Sequence, residues 1–430
     1  MAFLGMRGTG DWAANERPEN WRQGILRLYP NGMAPLTAIL SKMKNSSTDD
    51  PVFHWWTKSL ASQGGAVTAG EIYTDAAMTA AAEDASAAGA IVYVKVTQAI
   101  ASEFRAGHQV LLRDASDYEV DVNGKVLAVN RNGDNSCITV ELLEADDNSA
   151  THGLSDVDRI LIIGNINPEG GSMPDSISYD SVEWYNNTQI FRTPLEITRT
   201  AKKTHLRTED AYKEAKREAL EIHSIEIEKN MLWSVRTSGI GANGKPERTT
   251  MGLITAIKAG AAANCNNFSI NADYSGLTWL QGGEEWLDAY LEQIFRFGSG
   301  EKLAFVGSGA LLGITRLIKS SGQFQITGAT TSYGIKVLEW KTPFGMLNMI
   351  THPLFSFEAT NRNSMVIFEP RLLEYKYIDD TFFKKDQGER EGGWANRDGT
   401  KDEFLTEAGL EYHHPTAMGY LNGFNTDNSV

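Results

Sequence analysis

The stretch from Asn186 to Val235, NNTQIFRTPLEITRTAKKTHLRTEDAYKEAKREALEIHSIEIEKNMLWSV, constrains this chain more than any other. A polar strand carrying Ile190, Leu195 and Ile197 runs into one long charged helix. Thr208 is placed to cap that helix, with Glu209 and Asp210 complementing the dipole of its first turn. Ala211, Ala215, Ala219, Ile222, Ile225 and Leu232 follow at helical spacing and predict one apolar stripe. Lys213, Glu214, Lys216, Arg217, Glu218, Glu221, Glu226 and Lys229 cover the rest. A helix from Thr208 to Val235 would be roughly 42 Å long at about 1.5 Å per residue. Such a helix is a strut, and its alanines let another backbone approach closely. It carries no catalytic constellation.

This strand–helix unit resembles one region of the tailed-phage major capsid proteins of the Hong Kong 97-like fold. There the return strand of an extended hairpin, the E-loop, feeds a spine helix. The likeness is greatest to the branch in which a polar strand of NxTQIF type precedes the helix. On the residues alone, the segment also fits any α+β protein with a long surface helix.

At 430 residues the chain can bury a sizeable core and predicts two or three domains. No run approaches the length of an apolar membrane span, and the N-terminus MAFLGMRGTGDWAANERPENW lacks a signal-peptide pattern. Cys137 and Cys265 are too few for a disulfide framework or a zinc knuckle and read as reduced, packed thiols of a cytoplasmically folded protein. The net charge of −15 argues against a general nucleic-acid binder. Residues 66–195 hold 7 Lys+Arg against 20 Asp+Glu, whereas residues 1–65 hold 7 against 5 and residues 196–236 hold 9 against 8. In a shell around DNA, repulsion would turn that acidic segment outward. Read without a shell, it is simply a soluble acidic insert.

Along the chain, residues 1–50 are rich in Arg, Asn, Pro and Gly, and Leu36–Leu40 is their one short apolar run. They predict an arm that gains order by lying on a neighbour. Phe53–Thr57 reads as an aromatic strand. From Gln63 to Ala90 the composition is Gly- and Ala-rich and leaves helix and linker open. From Ile91 to Ile163 the period becomes two. Asn123-Gly124 and Asn132-Gly133 predict tight turns between Tyr118–Val122, Lys125–Val129 and Cys137–Leu143, and Arg159–Ile163 adds a strand. This predicts an antiparallel β unit. After the long helix, Ser238–Thr250 reads as a loop and Trp279–Phe297 as an amphipathic helix. Lys302–Val306, Ile335–Trp340, Met346–Thr351, Met365–Phe368 and Leu372–Ile378 read as strands, with a helix at Ala310–Lys319. Residues 379–402 read as a charged loop, and Phe404–Leu410 as a strand that Pro415 interrupts.

The resemblance therefore runs in order along nearly the whole chain. It implies an α+β Hong Kong 97-like capsid fold with an antiparallel β domain inserted in the E-loop. The implied parts are an N-terminal arm at 1–52, an E-loop region at 53–204 with the insert at about 91–165, and a P-domain spine helix and following loop at 205–262. An A-domain at 263–365 follows, then P-domain strands at 366–430 whose last strand returns to the A-domain. The implied function is assembly as hexamers and pentamers into an icosahedral shell enclosing double-stranded DNA, which the inner face contacts non-specifically. The expected partners are other copies of the chain, with room for portal, scaffolding and decoration proteins, and no membrane. The expected location is the virion, after assembly in the host bacterial cytoplasm. A phage glycan hydrolase and a carbohydrate-binding or tail structural protein stand as the alternatives.

Several segments carry fragments of known site patterns. Gly239–Lys245 fits both GxGxxG and GxxxxGK, but a helix precedes it and Pro246 follows where a phosphate loop needs Ser or Thr and a free N–H. It reads as a flexible loop. The histidines 54, 108, 152, 205, 223, 352, 413 and 414 form no metal-binding spacing, and His413-His414, placed on a strand, point to opposite faces. His223 reads as a packed or surface helix residue. Asp146-Asp147 and Asp156/Asp158 lack a calcium loop and read as solvated turns. Glu183-Trp184-Tyr185 and Glu284-Glu285-Trp286 are the nearest approach to a sugar-cleft acid, with Trp286 more simply core. Some capsids of this fold crosslink Lys to Asn, but no residue here is assignable to that role. The expectation is a non-enzyme with no catalytic, cofactor or metal residues.

Overall fold

In the computed structural model the described residues are 44–428, without 59, 61, 68–70, 83–85, 115–120, 147–152, 205–209, 322–325, 333–334 and 386–398, and without the side chains of 321–337. The arm expected at the N-terminus, with its Leu36–Leu40 run, lies almost wholly outside them. The chain divides into two compact units, with boundaries between Trp55 and Trp56 and between Val182 and Glu183. The fold is α+β, as the sequence leads one to expect.

The first described strand, β1 (Lys44–Ser47), is followed by β2 (Val52–Thr57), the aromatic strand. Phe53 and Trp55 point inward and His54 and Trp56 outward, the alternation a pleated strand imposes.

The smaller unit is a seven-stranded antiparallel sheet. Its strands are β3 (Gly64–Ala66), β4 (Ile72–Tyr73), β5 (Ile91–Lys95), β6 (His108–Arg113), β7 (Asp121–Asn130), β8 (Cys137–Leu142) and β9 (Arg159–Asn165), with a single helical turn α1 (Gln98–Ala101) after β5. The spatial order is β3-β9-β6-β7-β8-β5-β4. Val92, Val94, Val110, Leu112, Val122, Val126, Ile138, Val140 and Ile160 fill one core. Two expectations change here. The Gly/Ala-rich stretch before Ile91 supplies strands among its described residues, because β3 and β4 from it form the two edges of the sheet. Asn123-Gly124 is not a turn. It lies inside β7, paired with β6 and β8, and a Cβ on Gly124 would stand 2.2 Å from Cγ1 of Val140. The glycine serves close cross-strand approach rather than chain reversal. Asn132-Gly133 does connect β7 to β8, with Gly133 at φ +54°.

The larger unit resumes at β10 (Val182–Asn187), which pairs with β2. It continues through β11 (Gln189–Thr198), the short helix α2 (Arg199–Lys203), the long helix α3 (Ala211–Trp233), β12 (Thr237–Ile240), β13 (Pro246–Thr249) and α4 (Leu253–Gly260). Next come β14 (Cys265–Asn267), α5 (Trp279–Phe295), β15 (Glu301–Val306), α6 (Ser308–Ser321), β16 (Ile326–Ser332), β17 (Ile335–Thr342), β18 (Gly345–Thr351) and α7 (Pro353–Phe357). The chain ends through β19 (Met365–Phe368), β20 (Leu373–Lys384), β21 (Gly399–Tyr412) and β22 (Gly419–Asn422).

Two sheets organise this unit. One is four-stranded, in the order β1-β20-β21-β11. The other is seven-stranded and mixed, in the order β14-β22-β19-β15-β18-β17-β16. The chain crosses from the mixed sheet to the four-stranded sheet between β19 and β20, and back between β21 and β22. The charged stretch read as one loop from 379 to 402 is instead strand on both sides of its undescribed part, because β20 runs to Lys384 and β21 begins at Gly399. The mixed sheet packs on α5 and α6 through Trp286, Leu291, Ile294, Ala304, Ile314 and Leu347. Its other face joins α3, α4 and the four-stranded sheet in a second core around Ile227, Met231, Ile257, Phe305, Phe368 and Leu410.

Candidate functional site

The long helix α3 spans 23 residues, about 35 Å at 1.5 Å per residue. Its cap is Asp210, whose carboxylate accepts the N–H groups of Tyr212 and Lys213; Thr208, the expected cap, lies outside the described residues. The buried face also differs from the expected stripe. Ala219, His223, Ile227, Glu228, Met231 and Leu232 are buried, while Ile222 is 43% exposed. The stripe is rotated because a buried histidine and glutamate stand where apolar counting places none. On β11 likewise, Phe191, Thr193 and Leu195 face inward and Ile190 is exposed.

The first half of α3 lies on β11 and β21. Ala219 packs against Leu195 and Phe404. His223 threads between two strands, with Nδ1 2.9 Å from Oγ1 of Thr193 and Nε2 2.8 Å from Oγ1 of Thr406. Thr193 also donates to Glu226 at 3.2 Å, and Thr406 touches the Thr381 hydroxyl at 2.8 Å. Burial holds the imidazole below its ordinary pKa, with Glu226 pulling weakly the other way. Tyr212 donates its hydroxyl proton to Asp402, and burial together with that carboxylate pushes the phenol up to about 12. The Lys216 ammonium stands 3.7 Å from the centre of the Phe383 ring.

The second half of α3 turns to the mixed sheet. Ile227, Met231 and Leu232 enter the core shared with α4. Glu228 meets His352, the N-cap of α7, at 3.0 Å. One helix thus packs against both sheets.

The other candidates resolve as follows. Gly239–Lys245 is the tip of the β12–β13 hairpin, not a flexible loop. Gly241 donates its N–H to Lys245 O at 2.8 Å, Gly244 donates to Gly241 O at 2.9 Å, and Lys245 donates to Asn243 Oδ1 at 3.0 Å. A groove of about 500 Å³ separates the hairpin from Gln189, Ile190 and Glu407. The hairpin tip leads into strand β13 rather than a helix N-terminus, so its amides do not converge as a phosphate cradle.

Asp146 is buried, not solvated, and its carboxylate accepts the Leu154 N–H at 3.1 Å; Asp147 lies outside the described residues, as do His152 and His205. Asp156 ends a short 3₁₀ turn. His54 pairs with Glu183 at 2.7 Å. His414 is not in a strand, since β21 ends at Tyr412 and His414 adopts φ +46°; His413 pairs with Glu411 at 2.8 Å. Trp286 is fully buried beside Glu284 and Glu285, so it offers no stacking surface to a sugar. Both cysteines are free thiols, and burial pushes each up. Among the described residues no three His, Cys, Asp or Glu side chains gather as a metal site.

Ser46 and Lys376 stand 2.7 Å apart, a nucleophile–base distance. Burial disfavours the Lys376 charge, but Glu374 and Glu411, at 3.1 and 3.2 Å from the ammonium, outweigh it and raise the pKa, the direction opposite to that of an activated base. Sequence reasoning missed the buried Glu228–His352 pair. It also missed Lys302, whose one signal is a lysine inside the apolar run Glu301–Val306.

Comparison with known proteins adds the family. The chain is 25% identical over 381 residues to the major capsid protein of Pseudomonas phage PaMx41, covering 88% of this chain and 82% of that one. Among solved structures, that of Mycobacterium phage Bobi aligns with a TM-score of 0.47 at 7% identity, over 95% of this chain and 96% of its own. The capsid of Myoviridae phage XM1 aligns at 0.39 and 10% identity, over 96% and 98%. The family model of the SU10 major capsid protein matches residues 6–425, and on that match the chain belongs to the SU10 major capsid protein family.

Proposed function

We propose that copies of this chain assemble as hexamers and pentamers into an icosahedral phage head that encloses double-stranded DNA. The observation that carries this reading is the family match across residues 6–425. The architecture suits it. A shell needs the same surfaces to meet at slightly different angles, and a rigid body held by one strut supplies constant geometry while extended segments adapt. In this reading the parts are those of the Hong Kong 97-like fold: α3 is the spine helix, the four-stranded sheet the P-domain, the mixed sheet the A-domain, and residues 53–204 the E-loop region with its β insert, whose return strand β11 joins the P-domain sheet. The role is structural and the location the virion.

The acidic segment at 66–195 faces outward in this proposal, away from the phosphate charge of DNA. Electron microscopy of the purified protein tests assembly: closed shells or capsomers are expected, and a compact 47.3 kDa species under every assembly condition would overturn it. Limited proteolysis of intact particles tests orientation. Cleavage within residues 56–182 is expected, and full protection there with cleavage in residues 1–43 would reverse it.

A further inference from the structure

Two of the chain's crossings between the sheets, β19–β20 and β21–β22, converge on one buried lysine. Lys302, on β15, is 1% exposed. Its ammonium donates to Phe297 O at 2.9 Å and to Ala417 O at 2.8 Å. Ala417 lies in the β21–β22 crossing. Glu369 lies at the other crossing, between β19 and β20; burial lowers the Lys302 pKa, the Glu369 carboxylate works against that by favouring the ammonium, and it accepts the Ser299 N–H at 3.1 Å. From the opposite side, Asn264 donates both side-chain protons to the second crossing, to Thr416 O and Met418 O, each at 2.8 Å. The crossings are also tied to each other, because the His413 N–H donates to Leu372 O at 2.8 Å. Gly298 completes the closure. It has φ +84°, and a Cβ there would stand 2.9 Å from the Glu369 carboxylate and 3.0 Å from the Lys302 ammonium.

An ammonium is an expensive way to fill a core. Burying it costs free energy unless its donors are met, and an unbranched apolar side chain would fill the same space. A buried polar group held at such cost serves best where it fixes one arrangement against near neighbours. Here every acceptor of the two donors, apart from Phe297 O, belongs to the one turn that passes from the four-stranded to the mixed sheet.

We propose that Lys302 and Asn264 are positioning residues that fix the angle between the two sheets and, through it, the curvature of the shell. This rests on the shell-forming function above. In a closed shell each subunit repeats the same internal angle, so a small change in it accumulates into a different radius.

The test compares shells of the wild type, Lys302→Met, Asn264→Ala and Leu317→Ala by particle diameter in electron micrographs. Leu317 is a buried core residue of α6 with no part in the crossings, so its variant reports plain destabilisation. A shifted or broadened diameter distribution is expected for Lys302→Met and Asn264→Ala, with Leu317→Ala at the wild-type diameter. Wild-type diameters for the first two, or an equal shift in all three, would overturn the proposal. If Lys302→Met is insoluble, Asn264→Ala decides alone. If neither folds while Leu317→Ala does, the contacts hold the fold rather than an angle, and the proposal fails. A wild type that makes no shells fails differently, by removing the shell-forming function itself.

Discussion

His352 Nε2 lies 3.0 Å from Glu228 Oε1, and both side chains are about 1% exposed. The other ring nitrogen accepts the Leu354 N–H at 3.2 Å, which places the proton on Nε2 and makes the imidazole the donor to Glu228. The contact ties the second half of α3 to the corner between β18 and α7. Removing the donor to a buried carboxylate typically costs about 1–3 kcal/mol or more, because the acceptor stays buried without that hydrogen bond. His352→Leu is therefore expected to lower the stability of unassembled subunits by that order. The double variant with Glu228→Leu should lose less than the two single losses added together. Urea unfolding of all three proteins gives the coupling directly, and simple additivity would show that the pair does not act as a unit.

His223 predicts a pH dependence with a definite sign. Its folded-state pKa lies below the ordinary value of about 6.5. As pH falls through that value, the unfolded chain takes up a proton before the folded one does, so stability drops with falling pH until the folded pKa is reached. Glu226 is the ionisable neighbour that works against the shift. Melting temperatures at pH 7.5 and 5.5 should differ more for the wild type than for His223→Gln. Equal pH slopes for the two proteins would remove this role from His223.

Ala219 lies on the buried face of the strut and Lys213 on an exposed one. Ala219 is 6% exposed against Leu195 and Phe404, so Ala219→Trp should overpack the contact at a cost of about 1–3 kcal/mol or more. Lys213 is exposed, and Lys213→Ala should change stability by no more than about 0–1 kcal/mol. Since every subunit repeats the defect, the yield of closed shells at equal expression should fall for the first variant only. The reverse pattern would mean that the buried face is wrongly assigned.

Gly124 and Gly133 separate crowding from backbone strain. Gly124→Ala sets a methyl against Val140 inside the sheet and should cost about 1–3 kcal/mol. Gly133 has open space around it and a φ of +54°, so Gly133→Ala should cost only the left-handed penalty of about 1–2 kcal/mol. Thermal unfolding of the full chain orders them, and a larger loss at Gly133 would contradict the close approach of β7 to β8.

The sequence by itself determined the parts that depend on local periodicity. The long helix, the period-two strands from Val92 to Ile163, the β17–β18 hairpin and the final strand broken at Pro415 all follow from spacing along the chain, because helix and strand each present one face at a fixed repeat. The tertiary structure decided which face is used. Counting apolar residues selects Ile222 on α3, yet the buried position is His223, because the threonine hydroxyls of β11 and β21 satisfy its two nitrogens and only the packed sheet brings them there. Asn123-Gly124 has the composition of a turn, yet β6 and β8 pair across it and hold it straight. Lys302 is a charge in an apolar strand until two crossings, distant in sequence, deliver the carbonyl and carboxylate that make its burial tolerable. Local pattern carries the first kind of information because it is set by neighbours in the chain. It cannot carry the second, because hydrogen-bond partners distant in sequence decide whether a polar side chain is inside or out.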